Sequence, residues 1–388
     1  MMKGKLFLDI HALQVVPPSC LNRDDTGAPK TAIFGGVQRA RVSSQSWKRA
    51  IRTGFRDGLD KNELSYRTRQ VEELIKAELM AILPDVSEES AAALVKEALI
   101  TMGLVDDKSK NASKNKKNKK NTGADTAEEA TEEAANAEQK KVMFFISTFQ
   151  MKDIASIIAR TVSEGKKLAT VKKELKDALK KKNGIEIALF GRMSAADVEF
   201  SVDACVQVSH AISTHEVENE VDFFTAVDDI DTEGAGHLGD SEFNSSTLYR
   251  YSTIEVHSLN EYVGDTEKTA KIVRDFIKQF VVSMPTGKIN SYANNTIPSV
   301  LYVALREDKP LNLSPAFERA IPASTEGFVV PSAKALEEYA LDAYGDFSMP
   351  PIKSFVVGKY LPKLEGQGGR VNLSTLLDTV EDYIRGLE

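Results

Sequence analysis

A short strand-like segment at the start of this chain is cut off from a later β-rich region by a long helical stretch, and that order confines the fold. Residues 5–13 alternate as a strand with one face buried, ending at Pro17 and Pro18. From about residue 60 to 183 the spacing is helical. Val71 to Ile82 and Ala91 to Leu104 carry the 3.6-residue period, and helix is expected again from Val142 to Lys182 with a break near Gly165. Strand alternation then returns in Ile185, Ile187 and Leu189, and in Val198, Phe200, Val202, Ala204, Val206 and Val208. Tyr249, Tyr251 and Thr253 oppose Leu248, Arg250, Ile254 and Val256. Ile272, Val273, Phe276, Ile277 and Phe280 form a helical stripe, and Val300 to Leu305 a strand after it. A first strand separated from a β-α-β run by a helical insertion predicts an α+β fold, an open sandwich. No internal repeat is present.

The segment from Arg23 to Arg56 carries the strongest functional signal. Arg23, Lys30, Arg39, Arg41, Lys48, Arg49, Arg52 and Arg56 stand against Asp24 and Asp25, a local surplus of six positive charges in a chain whose net charge is −7. Gly35 and Gly36 predict a turn. Trp47, Ala50, Ile51, Gly54 and Phe55 recur at helical spacing, leaving Lys48, Arg49, Arg52 and Arg56 off the buried stripe. Ser43 or Ser44 can cap this helix, and capped amides beside cations suit phosphate. A solvated basic helix would show the same stripe. The charge, however, begins before the helix and continues through the glycine turn, which favours a polyanion-binding site.

Hydrophobic residues make up 42% of the 388 and charged residues 28%, values that fit a globular chain of two or three domains. No run of 18 apolar residues and no signal-peptide start is found, and Cys20 and Cys205 are too far apart for a C-x-x-C pair. A cytoplasmic protein is expected, with no membrane partner. Acidic overall charge does not exclude nucleic acid, because binding depends on where the charge sits. Between 106 and 141 the chain loses its apolar residues: seven lysines fall between Lys108 and Lys120, followed by an Ala/Glu tract, so a disordered insertion is expected there.

Several catalytic readings fall away. Residues 234–239 match G-x-G-x-x-G by letter, but an acidic loop precedes them and a strand is expected after, the reverse of the dinucleotide context. His11, His210, His215, His237 and His257 show no metal-ligand spacing. Neither a P-loop nor a nucleophile elbow occurs. No cofactor and no catalytic residue is therefore assigned. Asp24-Asp25 and Asp228-Asp229 are acidic pairs that could hold Mg²⁺, the first inside the basic segment, where ion pairing with Arg23 and Lys30 is the alternative. Phe223 and Phe224, adjacent in an acidic stretch, fit either a buried anchor or a platform for stacking bases, worth about 1 to 3 kcal/mol per base.

The order of motifs then resembles a known family. Residues 19–25 (Ser-Cys-Leu-Asn-Arg-Asp-Asp), 32–36 (Ala-Ile-Phe-Gly-Gly), 41–46 (Arg-Val-Ser-Ser-Gln-Ser), 48–50, 191–193 (Gly-Arg-Met), 210–215 (His-Ala-Ile-Ser-Thr-His) and 222–229 (Asp-Phe-Phe-Thr-Ala-Val-Asp-Asp) resemble the CasC family. His237 to Gly239, Phe243 and 249–251 (Tyr-Arg-Tyr) continue the match. These proteins are backbone subunits of the type I-E CRISPR complex Cascade. The resemblance is dense over roughly 5–56 and 185–330 and loose through the helical region.

It implies a modified RNA-recognition-motif (ferredoxin-like) palm of the RAMP superfamily, with helical fingers and a β-hairpin thumb. Palm would comprise 1–60, 185–208 and 245–388, fingers 61–184 and thumb 209–244. The implied role is non-catalytic: copies stack head to tail on the CRISPR RNA, an open heterologous assembly, beside other Cascade subunits. Target DNA is read through guide pairing, so each copy need hold only backbone. Arg23, Lys30, Arg41, Ser43, Gln45, Lys48 and Arg52 are implied guide contacts, and the basic segment adds Arg39 and Arg49. Met193, Phe223, Phe224, Thr225, Val227 and Leu238 match the apolar thumb set that wedges beside a displaced base, which tips Phe223 and Phe224 toward nucleic acid. Val37 and Gln38 depart from the basic residues usual there. A metal-dependent ribonuclease using Asp24 or Asp25 is the alternative function.

Overall fold

The computed structural model describes residues 4–105, 143–194, 197–227, 230, 235–366 and 368–387. They form two compact units, one of 1–58 and 205–388 and one of 59–204. In chain order the first unit supplies β1 (Phe7–Ser19), β2 (Thr31–Phe34), β3 (Val37–Val42) and α1 (Ser44–Arg56). The second follows with β4 (Ser65–Thr68), α2 (Val71–Ile82), α3 (Glu88–Met102), β5 (Phe144–Ser147), α4 (Thr148–Ser163), α5 (Lys172–Lys180) and α6 (Ile185–Phe190). The first then resumes with β6 (Val206–Val208), β7 (Ala211–Ser213), β8 (Glu220–Val227), β9 (Ala235–Glu255), α7 (Val256–Val263) and α8 (Thr266–Val282). It ends with α9 (Ile289–Tyr292), β10 (Val300–Arg306), α10 (Val329–Asp346), β11 (Lys353–Val357) and α11 (Leu373–Arg385). The α+β class expected from the sequence is the one observed.

In the first unit β1 lies between β9 and β10, with Leu8 opposite both Ile254 and Leu305. The sheet order is β11-β10-β1-β9-β7-β3-β2, and β6 and β8 also pair with β9. Helices cover both faces. On one, Leu13, Tyr249 and Tyr302 pack with Leu336, Ala340 and Tyr344 of α10. On the other, the buried Arg250 guanidinium lies 3.6 Å from the Trp47 ring centroid (α1) and 4.2 Å from that of Phe280 (α8). The first strand is therefore buried on both faces, not one as its alternation suggested: Asp9, His11 and Gln14 are as enclosed as Leu8 and Ile10. It also runs past the expected stop, taking in Pro17 and Pro18 at a register shift between Val16 and Ser19, where a missing N–H removes no ladder bond.

The second unit is built on α2, α3, α4 and α5 around Ile75, Leu79, Val95, Ile154, Ile158 and Leu175. The helices expected at Val71–Ile82 and near Ala91–Leu104 are present, as is the break at Gly165, whose φ is +66°. Two readings are corrected. Residues 144–147, within the helix expected from Val142, form β5 and pair with β4, a partner distant in sequence. Residues 185–190, where strand alternation was expected, form α6, buried nearly all round, with the Glu186 carboxylate accepting the Ser65 N–H at 2.6 Å. Three alternating apolar residues fit either element when every side is covered. Of the second expected strand only Val206–Val208 is one, while Val198–Phe200 is a 3-10 turn, so 185–204 belongs with the helical unit. The expected insertion at 106–141 lies outside the described residues. Among those described, no helix is long and apolar enough to cross a membrane.

Candidate nucleic-acid interface

The basic segment folds onto itself before it meets the sheet. Gly35 and Gly36, at φ +61° and +83°, close the β2–β3 hairpin in the conformation that matches strand twist. A side chain at Gly35 would also strike the Glu318 carbonyl. The preceding loop is pinned to β3: Lys30 N–H donates to the Asn22 carbonyl, and Arg41 N–H to the Lys30 carbonyl, each at 2.9 Å. Ser43 N–H donates to Asn22 Oδ1 at 2.9 Å, and Ser43 Oγ caps α1 by accepting the Ser46 N–H at 3.3 Å. Trp47, Ile51 and Phe55 are the buried stripe, as expected.

These bonds bring Arg23, Lys30, Arg41 and the start of α1 together. Lys30 and Arg41 line a cleft with Asn22 on one side and Asn244 and Ser246 of β9 on the other. Gln45 and Arg49 are exposed on α1, while Lys48 is half-buried and burial lowers its pKa. The side chains of Arg23, Lys30, Arg41, Lys48 and Arg49 have no hydrogen-bond or carboxylate partner among the described residues, and Arg41 Nε is buried without one. In the helical unit Arg160, Lys176, Lys180 and Lys182 each hold a carboxylate, whereas Arg67, Arg69, Lys96, Lys172 and Lys173 are exposed without one among the described residues.

His210 was in a recognised motif but not among the expected contacts. Its Nδ1 accepts the Ser44 N–H at 3.3 Å, so the neutral ring carries its proton on Nε2. Burial, then Arg41 and Lys30, lower its pKa. Only its fold-determined nearness to those cations reveals it.

Other expected contacts are placed elsewhere. Arg39 is fully buried, its guanidinium donating to the carbonyls of Ser213 and Phe317 at 2.9 Å and of Glu318 at 3.2 Å. This corrects its assignment to the guide, because a head enclosed by three carbonyls cannot reach a phosphate. Ser43 Oγ acts in the cap, and Arg52 is half-buried on α1. Gln38, at the departure from the family pattern, donates Nε2 to the Val217 carbonyl at 3.1 Å. Asp24 organises its own loop: Oδ1 accepts the Thr26 hydroxyl at 2.7 Å and the Thr26 and Ala28 N–H groups at 2.9 and 3.1 Å. The Thr26 hydroxyl is the main reason its pKa is low. Among the described residues no group of three His, Cys, Asp or Glu is placed to hold a metal.

The β8–β9 pair leaves the sheet where β1 pairing ends, at Ser19 opposite Asn244, and continues as a two-stranded ribbon. Its register places Phe223 opposite Asp240, Thr225 opposite Leu238 and Val221 opposite Glu242, all on one face. Phe223 is 74% and Leu238 70% exposed. Phe224 lies on the other face with its ring over Gly239. The side chain of Val227 lies outside the description. Met193, in the helical unit, is 89% exposed. Its neighbour Arg192 is a buried clamp, donating to the Phe200, Phe145 and Leu179 carbonyls at 2.7, 3.1 and 2.8 Å, and burial pushes its pKa down to about 10.

No curated protein matches the chain. Among solved structures, a chain of a CRISPR RNA-guided surveillance complex in a pre-nicking state shares 28% identity and a TM-score of 0.77, covering 97% of this chain and 100% of its own. A chain of another CRISPR RNA-guided surveillance complex shares 25% identity and a TM-score of 0.59, covering 98% and 100%. The sequence profile of the CT1975-like proteins matches residues 8–382. In agreement with the motifs that resembled CasC, the chain belongs to the CT1975-like protein family.

Proposed function

We propose that this protein is a component of a CRISPR RNA-guided surveillance complex and serves there as a non-catalytic grip on the backbone of the guide RNA. The observation that carries this reading is the set of unpartnered cations about one cleft at the root of the ribbon. Arg23, Lys30 and Arg41 form no ion pair among the described residues, and the His210 Nε2–H adds a neutral donor. Such a set suits phosphate and sugar contacts without base reading, leaving sequence recognition to guide pairing with target DNA. In this reading the sheet of the first unit is the ferredoxin-like palm, the helical unit the fingers and the ribbon the thumb. Copies line up along one guide. Asp24 serves to hold its loop together, and in this reading cleavage is left to another component.

The test is charge reversal. Lys30→Glu with Arg41→Glu should reduce affinity for single-stranded RNAs of unrelated sequence alike. It should also make the dependence of log K on log salt shallower by about 1.4, since each phosphate that a cation neutralises accounts for about 0.7. Retained binding, or weakening confined to one sequence, would reject a backbone grip at this cleft.

A further inference from the structure

The segment after α8 is shaped at a cost that its own packing does not explain. Gly287 lies so close to the Cys20 and Leu21 carbonyls that any side chain there would strike backbone. This places the next residue, Lys288, beside the loop that carries Arg23. Lys288 has φ +45° and ψ +30°, a left-handed conformation uncommon for any residue with a Cβ. Four residues of α9 follow, and Ala293, at φ +47°, is left-handed as well. Asn294 is fully buried, and neither its Oδ1 nor its Nδ2 finds a partner. Strain at two sites and an unsatisfied amide within seven residues mark a segment held for its position.

What that position presents is a cation. The Lys288 ammonium has no hydrogen-bond or carboxylate partner among the described residues. Burial raises the Cys20 thiol pKa; the Lys288 and Arg23 charges oppose that rise and those of Asp24 and Glu242 add to it, so the two cations stand about the same point together with two carboxylates. At the far end of α9, the Tyr292 ring centroid lies 6.1 Å from that of Phe243, at the root of the ribbon. The segment thus spans from the Arg23 loop to the ribbon.

We propose that Lys288 is a further phosphate ligand of the guide, fixed by the left-handed turn where the strand would pass from the Arg23 loop to the root of the ribbon. This rests on the backbone-grip reading and adds a ligand that no sequence motif supplied. Lys288 stands outside the basic segment, and nothing in its spacing sets it apart from a surface lysine.

The left-handed turn supplies its own control. Lys288→Gly removes the charge and relieves the backbone, whereas Lys288→Gln removes the charge and keeps the strain. In full-length protein with two single-stranded RNAs of unrelated sequence, both variants should flatten the log K against log salt slope by about 0.7 and weaken binding about threefold. The melting temperature of Lys288→Gly should equal or exceed that of the parent, and Lys288→Arg should bind as the parent does. If both variants keep the parental slope while Arg41→Ala flattens it, Lys288 is not a ligand and the grip stands without it. If Arg41→Ala also keeps the slope, the grip itself fails and this proposal with it. A lower melting temperature in Lys288→Gly with an unchanged slope would assign the lysine to folding and overturn the proposal.

Discussion

At the residue scale, the sequence could not separate an arginine free to meet a polyanion from one that holds the fold. Arg39, Arg192 and Arg250 are all buried, and each donates to backbone carbonyls. Arg192 and Arg250 sit inside motifs that carried the family resemblance, and Arg39 two residues from another. Charge and spacing are the same in both roles; only the enclosing carbonyls differ, and they come from distant parts of the chain. A second buried group gives a pH signature. Asp9 accepts the Tyr251 hydroxyl and the Leu311 N–H, both at 2.9 Å, yet burial outweighs these bonds and raises its pKa to about 6. Burial, with Arg306 adding to it, lowers His11 to about 3. In the unfolded chain these groups titrate at about 3.9 and 6.5. Between about pH 4 and 6 the folded protein therefore keeps a proton on Asp9 that the unfolded chain has lost, so this group adds stability as pH falls. His11 does the opposite, because the unfolded chain takes up the proton that the fold refuses. Asp9→Asn removes only the first effect. Urea unfolding at stepped pH should show the variant losing about 2 to 3 kcal/mol more than the parent between pH 6 and 4. Parallel pH profiles would mean that Asp9 stays ionised in the fold.

At the element scale, long periodic segments were legible and short apolar ones were not. The α8 stripe stands where its spacing put it, because 17 residues of one period leave little choice. Strand β5 needed β4 to exist, and β4 is far away in the chain. The ribbon shows the same limit within one element. Phe223 and Phe224 looked like a single aromatic pair, but strand geometry sends them to opposite faces, with only Phe223 beside Leu238 and Thr225. Phe223→Ala and Leu238→Ala should thus leave the melting temperature within about 1 °C of the parent, since exposed side chains contribute little to stability. Both should weaken association with guide-loaded complex. Phe224→Ala uncovers Gly239 and should speed amide exchange across 220–226 and 238–243, as expected where a ring shields a strand glycine. Faster exchange from Phe223→Ala instead would place Phe223 in the packing of the ribbon and sink the division between the two faces.

At the scale of the whole molecule, charge distribution decides how copies meet. The chain carries −7 overall but gathers a surplus of six positive charges within 23–56. Two free copies approach as like-charged bodies, and each carries an attractive patch suited to a polyanion more than to its neighbour. If the basic segment grips RNA as proposed, a strand changes this balance, because each bound copy would neutralise part of it and place the next copy at high effective concentration. The discontinuous first unit, closed by β1 between strands from distant parts of the chain, completes the cleft within a single copy. Self-association should therefore depend on RNA. Without it, sedimentation at low salt should give the 42.6 kDa monomer. With single-stranded RNA the mass should rise in whole protein increments as the strand is lengthened, and fall back to monomer at high salt. The Lys30→Glu, Arg41→Glu double variant should stay monomeric in both conditions. Oligomers of fixed size that ignore strand length would point to a closed protein interface and would contradict stacking along a guide.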